Sequence, residues 1–101
     1  MKTYCFDLDG TLCTSENGEF LKAKPMKKRI RKVNDLYEAG HIIIIETARG
    51  TVSKMDWSKL TKKQLADWGL RYHGVRTGKK VYADHYIDDH AINASDFFSA
   101  I

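Results

Sequence analysis

Apolar and polar positions divide the chain into short β-type runs separated by longer helical stripes. Thr3–Phe6 reads as a short buried strand that ends in Asp7-Leu8-Asp9-Gly10-Thr11. Cys13–Lys24 is polar and irregular, with Asn17-Gly18 as a turn signal. Pro25 suits the first position of a helix. Met26, Ile30, Val33 and Tyr37 follow at helical spacing, Leu36 widens the stripe, and Gly40 supplies a stop. His41–Glu46 is β-branched without alternation, the pattern of a parallel-sheet strand covered on both sides. A second helix is predicted over Ser58–Trp68, with Leu60, Leu65 and Trp68 facing inward. Tyr72–Arg76 is a weak third strand, Val81–Ile87 a fourth that runs into Asp88-Asp89, and Ser95 the cap of a short last helix.

The order strand, helix, strand, helix, strand, strand, helix predicts a small α/β, Rossmann-like fold. Its sheet would be mostly parallel, with helices on both faces. A chain of 101 residues makes one domain, 1–101, and buries roughly two-thirds of the surface its unfolded form exposes. In open α/β sheets ligands bind beyond the carboxyl ends of the strands. Here those ends carry Asp7 and Asp9, then Thr47, then Asp88 and Asp89.

Charge alters this picture only slightly. Lys and Arg total 17 against 13 Asp and Glu, a net +4 that suits anionic substrates without indicating a nucleic-acid protein. The excess gathers at Lys22, Lys24, Lys27, Lys28, Arg29, Arg31 and Lys32, read as a solvated helix face or as a patch that attracts an anionic polymer. Of the two cysteines, Cys5 lies in an apolar run and reads as a buried reduced thiol. Cys13 reads as buried and unreactive, and a reducing cytoplasm is expected. The longest aliphatic run, Ile42–Ile45, is far below the ~20 residues of a membrane span, so no membrane role is expected.

Phosphoryl transfer requires a nucleophile, neutralisation of phosphate charge and a proton for the leaving group. A carboxylate can attack phosphorus, and a second one two residues on can serve the leaving oxygen. Carboxylates at two strand ends can hold Mg²⁺ through oxygen ligands. Gly10 allows a sharp turn that Thr11 can fix. Thr47, with the N–H groups beside it, can bind a phosphoryl oxygen, and Lys79 or Lys80 can offset the clustered acids.

At these positions the sequence resembles the haloacid dehalogenase (HAD) superfamily over most of its length. Asp7-Leu8-Asp9-Gly10-Thr11-Leu12 resembles the family's first motif, Thr47 its second, Lys79 in Gly78-Lys79 its third, and Tyr86-Ile87-Asp88-Asp89 its fourth. The resemblance implies a Mg²⁺-dependent phosphatase with Asp7 as nucleophile and Asp9 as general acid/base. It implies a metal held by Asp7, the Asp9 carbonyl and Asp88, with Asp89 in support. Thr47, Ala48 and Lys79 would bind the phosphoryl group. Thr47-Ala48-Arg49-Gly50 and Ala83–Asp89 are similar to short members that act as capsule or polysaccharide biosynthesis phosphatases. In those the lysine precedes a proline; here Lys80 stands in its place, and Lys79 is favoured. Neither Leu12–Glu46 nor Gly50–Gly78 has room for a cap domain, so a capless enzyme is implied. The expected substrate is a sugar phosphate or polysaccharide precursor. A homo-oligomer that closes the open site is compatible with this reading.

Three alternatives compete. One is a phosphatase of nucleotides or nucleic-acid ends, a second is an inactive HAD-like binding module, and a third is a receiver domain phosphorylated on Asp. The receiver fits worst, because its paired acids belong on the first strand and its phosphorylated Asp on a later one. Arg49 is expected to contact a substrate phosphate or to pair with Glu46 or Asp56. Asp84 reads as a surface residue, His85 and His90 as non-ligands, and Trp57 and Trp68 as packing residues.

Overall fold

The computed structural model describes residues 1–15, 19–51, 54–81 and 83–101. The predicted turn at Asn17-Gly18 lies outside them. Three parallel strands, β1 (Thr3–Asp7), β2 (Ile42–Thr47) and β3 (Gly74–Thr77), form a sheet in the order β1-β2-β3 among the described residues. α1 (Lys27–Glu38) connects β1 to β2, α2 (Ser58–Asp67) connects β2 to β3, and α3 (Ala94–Phe97) follows.

Register determines what the sheet presents on each face. Phe6 pairs with Ile45 and Tyr4 with Ile43, so these side chains share a face with Thr47 and Val75. That face forms the core, against Ile30 and Val33 of α1, Leu65 of α2, Leu70 and Phe98. The opposite face carries Cys5, Ile44 and Glu46 and is only partly covered. In β2, Ile43, Ile45 and Thr47 are buried while Ile42, Ile44 and Glu46 are half-buried, less cover on the second face than the unbroken β-branched run predicts. Cys5 is exposed there, a correction to the buried thiol expected from its apolar neighbours.

α1 forms where its apolar stripe places it. Ile30 and Val33 are its buried residues, and the helix stops at Gly40, whose φ of 95° suits glycine. Asn34 joins α1 to the turn after α2: its Nδ2 donates to the Gly69 carbonyl at 2.9 Å and its Oδ1 accepts from Arg71 N at 2.8 Å. In α2 the buried residues are Thr61, Gln64 and Leu65; Leu60 and Trp68 are half-buried. The buried face is thus more polar than predicted. Asn93, rather than Ser95, caps α3, accepting from Ser95 N at 2.9 Å.

The predicted fourth strand does not form among its described residues. Tyr86 Oη donates to the Val81 carbonyl at 2.6 Å and accepts from Ala83 N at 3.1 Å, which folds the segment onto itself. Val81 is 74% exposed and Ile87 98%. Tyr82, inside the predicted strand, lies outside the described residues.

Ile45 lies at the centre of the buried face with no exposed surface. Ile45→Ala is expected to cost about 2–5 kcal/mol, measured as a lower urea midpoint with an unchanged slope.

Candidate active site

The site begins with a turn. After β1 the Leu8 carbonyl accepts from Thr11 N at 3.1 Å, Leu12 N at 2.8 Å and Cys13 N at 3.3 Å. Leu8 and Leu12 anchor this loop in the core with no exposed surface. Gly10, with φ of 84°, supplies the left-handed step that a side chain would strain. Arg29 of α1 holds the loop from outside, donating from Nη1 to the Thr11 carbonyl at 3.1 Å. Asp7 and Asp9 are thereby fixed on either side of a buried leucine.

The two acids have different surroundings. The Asp7 side chain is 39% exposed and its Oδ1 accepts from Lys80 Nζ at 3.0 Å. Thr11 Oγ1 lies at 3.5 Å from Asp7 Oδ2, a long contact. Asp9 faces inward. Its Oδ2 accepts from Arg49 Nε at 3.0 Å and Thr47 Oγ1 at 3.2 Å, and its Oδ1 from Arg49 Nη2 at 2.8 Å. The Cys13 thiol lies 3.5 Å from Oδ1.

Arg49 has a fully buried side chain. Its Nη1 donates to Thr61 Oγ1 at 3.2 Å and Gln64 Oε1 at 2.6 Å on α2, and its guanidinium lies 4.7 Å from the Phe20 ring centroid. Gln64 Nε2 donates in turn to the Phe20 carbonyl at 2.7 Å. Arg49 therefore pairs with Asp9 rather than with Glu46 or Asp56. Glu46 lies 3.9 Å from Arg76, and Asp56 accepts from Ser58 N at 2.9 Å.

The sequence-predicted residues are only partly brought together. Lys80, not Lys79, reaches Asp7; Lys79 is exposed. Desolvation pulls the Lys80 ammonium down, but the hydrogen bond and charge of Asp7, with the charges of Tyr86 and Glu46, together leave it above its ordinary value. The Thr47 hydroxyl donates to Asp9 and accepts from Arg49 N at 3.2 Å. Ala48 is half-buried beside it. Asp88 and Asp89 are exposed; Asp88 Oδ1 accepts from His90 N at 2.7 Å within its own loop. Asp84, His85 and His90 are exposed as well.

The metal set implied by the resemblance, the Asp7 and Asp88 carboxylates with the Asp9 carbonyl, is all oxygen and suits Mg²⁺ in kind. Among the described residues no three His, Cys, Asp or Glu are grouped to hold a metal ion. The Asp9 carboxylate is taken up by Arg49 and Asp88 Oδ1 by His90 N, while the Asp7 carboxylate keeps an exposed edge.

Sequence reasoning did not identify Thr61, Gln64 and Phe20 as parts of the site. One signal was available: Thr61, Gln64 and Leu65 share a helical face, and polar groups on a buried face require partners. Beside Arg49 a cavity of about 250 Å³ opens between the loops after β2 and β3, lined in part by Gly50, Lys54, Asp56, Trp57 and Gly78. Trp57 Nε1 is buried there with no hydrogen-bond partner among the described residues.

A solved structure of a structural-genomics target from Vibrio cholerae matches with a TM-score of 0.86 and 26% identity, covering 98% of this chain and 89% of that one. The D,D-heptose 1.7-bisphosphate phosphatase of B. bronchiseptica, crystallised with magnesium and phosphate, matches with a TM-score of 0.57 and 17% identity. That match covers 90% of this chain and 54% of the other, so the chain spans about half of that phosphatase. The fold is HAD-like. No protein-family model and no curated protein matches the sequence.

Burial, then the negative charge of Asp9, pushes the Cys13 thiol up to about 12. At pH 8 a thiol reagent is expected to label Cys5 and spare Cys13 until the chain unfolds. The linkage sign follows from the raised value. The folded state keeps its proton while the unfolded thiol ionises above the ordinary value of 9.0, so stability is intact below that pH and falls as pH rises toward 12. Cys13→Ala is expected to flatten this decline in urea melts across that range.

Proposed function

We propose that the chain is a phosphomonoesterase that works through an aspartyl-phosphate on Asp7. The observation that carries this reading is the contrast between the two acids: Asp7 is open to solvent and charge-paired to Lys80, whereas Asp9 is held inward by Arg49. A nucleophile must meet substrate, and a proton-transferring group must be held in one orientation. The HAD-like fold and the phosphatase named among its structural neighbours support the same reaction class.

In the first half-reaction an Asp7 carboxylate oxygen bonds to phosphorus. The bond from phosphorus to the leaving oxygen breaks, its electron pair stays on that oxygen, and Asp9 supplies the proton. In the second, Asp9 takes a proton from water as the water oxygen attacks phosphorus, which releases phosphate and restores Asp7. Lys80 offsets charge on Asp7 and the phosphoryl group throughout, in the place that sequence reasoning gave to Lys79.

Mg²⁺ belongs to this proposal as a requirement, supported by the oxygen chemistry of Asp7 and by the neighbour solved with magnesium and phosphate. When bound it would neutralise phosphoryl charge. A sugar phosphate or polysaccharide precursor is the substrate class we favour, consistent with an open, capless site. Free thiols, and no membrane-crossing helix among the described residues, suit a cytoplasmic enzyme.

A nucleotide or nucleic-acid end is the second reading, favoured by a hollow of about 280 Å³ beside Lys28, Arg31 and Lys32. Binding of a phosphorylated oligonucleotide that weakens steeply with salt would support it; no binding at low salt would exclude it.

Phosphate release from p-nitrophenyl phosphate and a panel of sugar phosphates and nucleotides tests the main reading. Release is expected to require Mg²⁺, to stop with EDTA, and to fall about a thousandfold or more in Asp7→Asn. Full activity in Asp7→Asn contradicts the mechanism. Lys80→Ala is expected to lose about a hundredfold in kcat, with Lys79→Ala within about twofold of the parent; the reverse ranking would return the role to Lys79.

A further inference from the structure

We propose that Arg49 is a positioning residue that acts through Asp9, orienting its carboxylate so that Oδ1 is the oxygen that exchanges a proton with substrate. This rests on the phosphatase reading and adds to it a residue that touches neither phosphate nor nucleophile.

A carboxylate offers about four acceptor positions. On Asp9, Oδ2 is fully engaged, by Arg49 Nε at 3.0 Å and Thr47 Oγ1 at 3.2 Å. Oδ1 accepts one strong bond, from Arg49 Nη2 at 2.8 Å, and one weak one, from the Cys13 thiol at 3.5 Å. A thiol is a poor donor, so Oδ1 is the oxygen that can take a leaving oxygen or a water as a new partner. Asp9 retains 19% side-chain exposure while Arg49 has none, so a substrate can approach the acid but not the guanidinium.

Arg49 is itself rigidly held. Thr61 and Gln64 take its other amino group, Phe20 covers its face, and Gln64 is tied to the Phe20 carbonyl. A planar fork fixed at both ends sets the plane of the carboxylate it grips, which a lysine, offering a point charge, does not. α2 therefore orients Asp9 from the far side of the guanidinium.

The test compares kcat and KM on two substrates, p-nitrophenyl phosphate and the alkyl phosphate that the wild type turns over fastest. The nitrophenolate departs readily without a proton; an alkoxide does not. Arg49→Gln is expected to lower kcat on the alkyl ester by about thirtyfold, within the range a general acid supplies, and on the nitrophenyl ester by less than about threefold. KM should stay within about twofold on both. Arg49→Lys should recover only part of the alkyl-ester loss. In an Asp9→Asn background, Arg49→Gln should add no further loss, because the two act as one unit.

Should Arg49→Gln fail to fold, as judged by circular dichroism, Thr61→Val and Gln64→Leu loosen the guanidinium from α2 without removing it. Each is expected to show the same leaving-group dependence at about three- to tenfold. Equal losses on both substrates, or losses additive with Asp9→Asn, would reduce Arg49 to a structural strut and overturn the proposal. A wild type that releases phosphate from neither ester would overturn the phosphatase reading and this role with it. An active wild type indifferent to Arg49 would overturn this role alone.

Discussion

A guanidinium with no exposed surface must have its charge balanced and its N–H groups bonded inside the protein. Arg49 imposes that requirement here, and the surrounding structure follows from it. Its charge is met by Asp9 from the loop after β1, its remaining donors by Thr61 and Gln64 of α2, and its face by Phe20. Leaving a buried charge unpaired costs about 3–5 kcal/mol, a large share of the stability of a domain this size. Asp9 keeps some exposure, which places this pair toward the lower end. The cost is still large enough to hold Asp9 in one place.

The same pair explains why the two acids of one loop differ. They flank Leu8, whose burial fixes the loop, and their partners then set them apart. Asp7 meets Lys80, and Asp9 meets Arg49. One carboxylate is thus exposed and the other oriented, a division of labour that phosphoryl transfer can use. Among its described residues the segment from Val81 to His90 bonds mainly within itself, with the Tyr86 ring 4.6 Å from Lys80 Nζ. Tyr86 closes it on itself, Ile87 stays in solvent, and Asp88 bonds within its own loop.

Much of this was legible in the sequence. β1, α1, β2, α2 and β3 lie near where hydrophobic spacing puts them, and the acids occupy a strand's carboxyl end as the α/β pattern requires. Partners set by tertiary contact were not legible. Glu46 and Asp56 were the sequence-near acids for Arg49, whereas its partner Asp9 belongs to a different strand end. Lys79 and Lys80 differ by a single step, and which one turns inward depends on the path after Gly78, whose φ is 71°. The β pattern of Val81–Ile87 did not yield a strand among its described residues, because β propensity yields to tertiary context. Thr61 and Gln64 share a helical face with Leu65, which hints at burial, but the buried arginine they serve lies outside their own helix.

The central claim is that Asp7 carries the phosphoryl group. The most direct test is to quench turnover in acid and determine, by peptide mass spectrometry, where a phosphoryl group is attached. The account predicts one phosphoryl group on Asp7, accumulating during turnover and absent in Asp7→Asn. Continued phosphate release with no modified peptide, or with the group on any other residue, would contradict it.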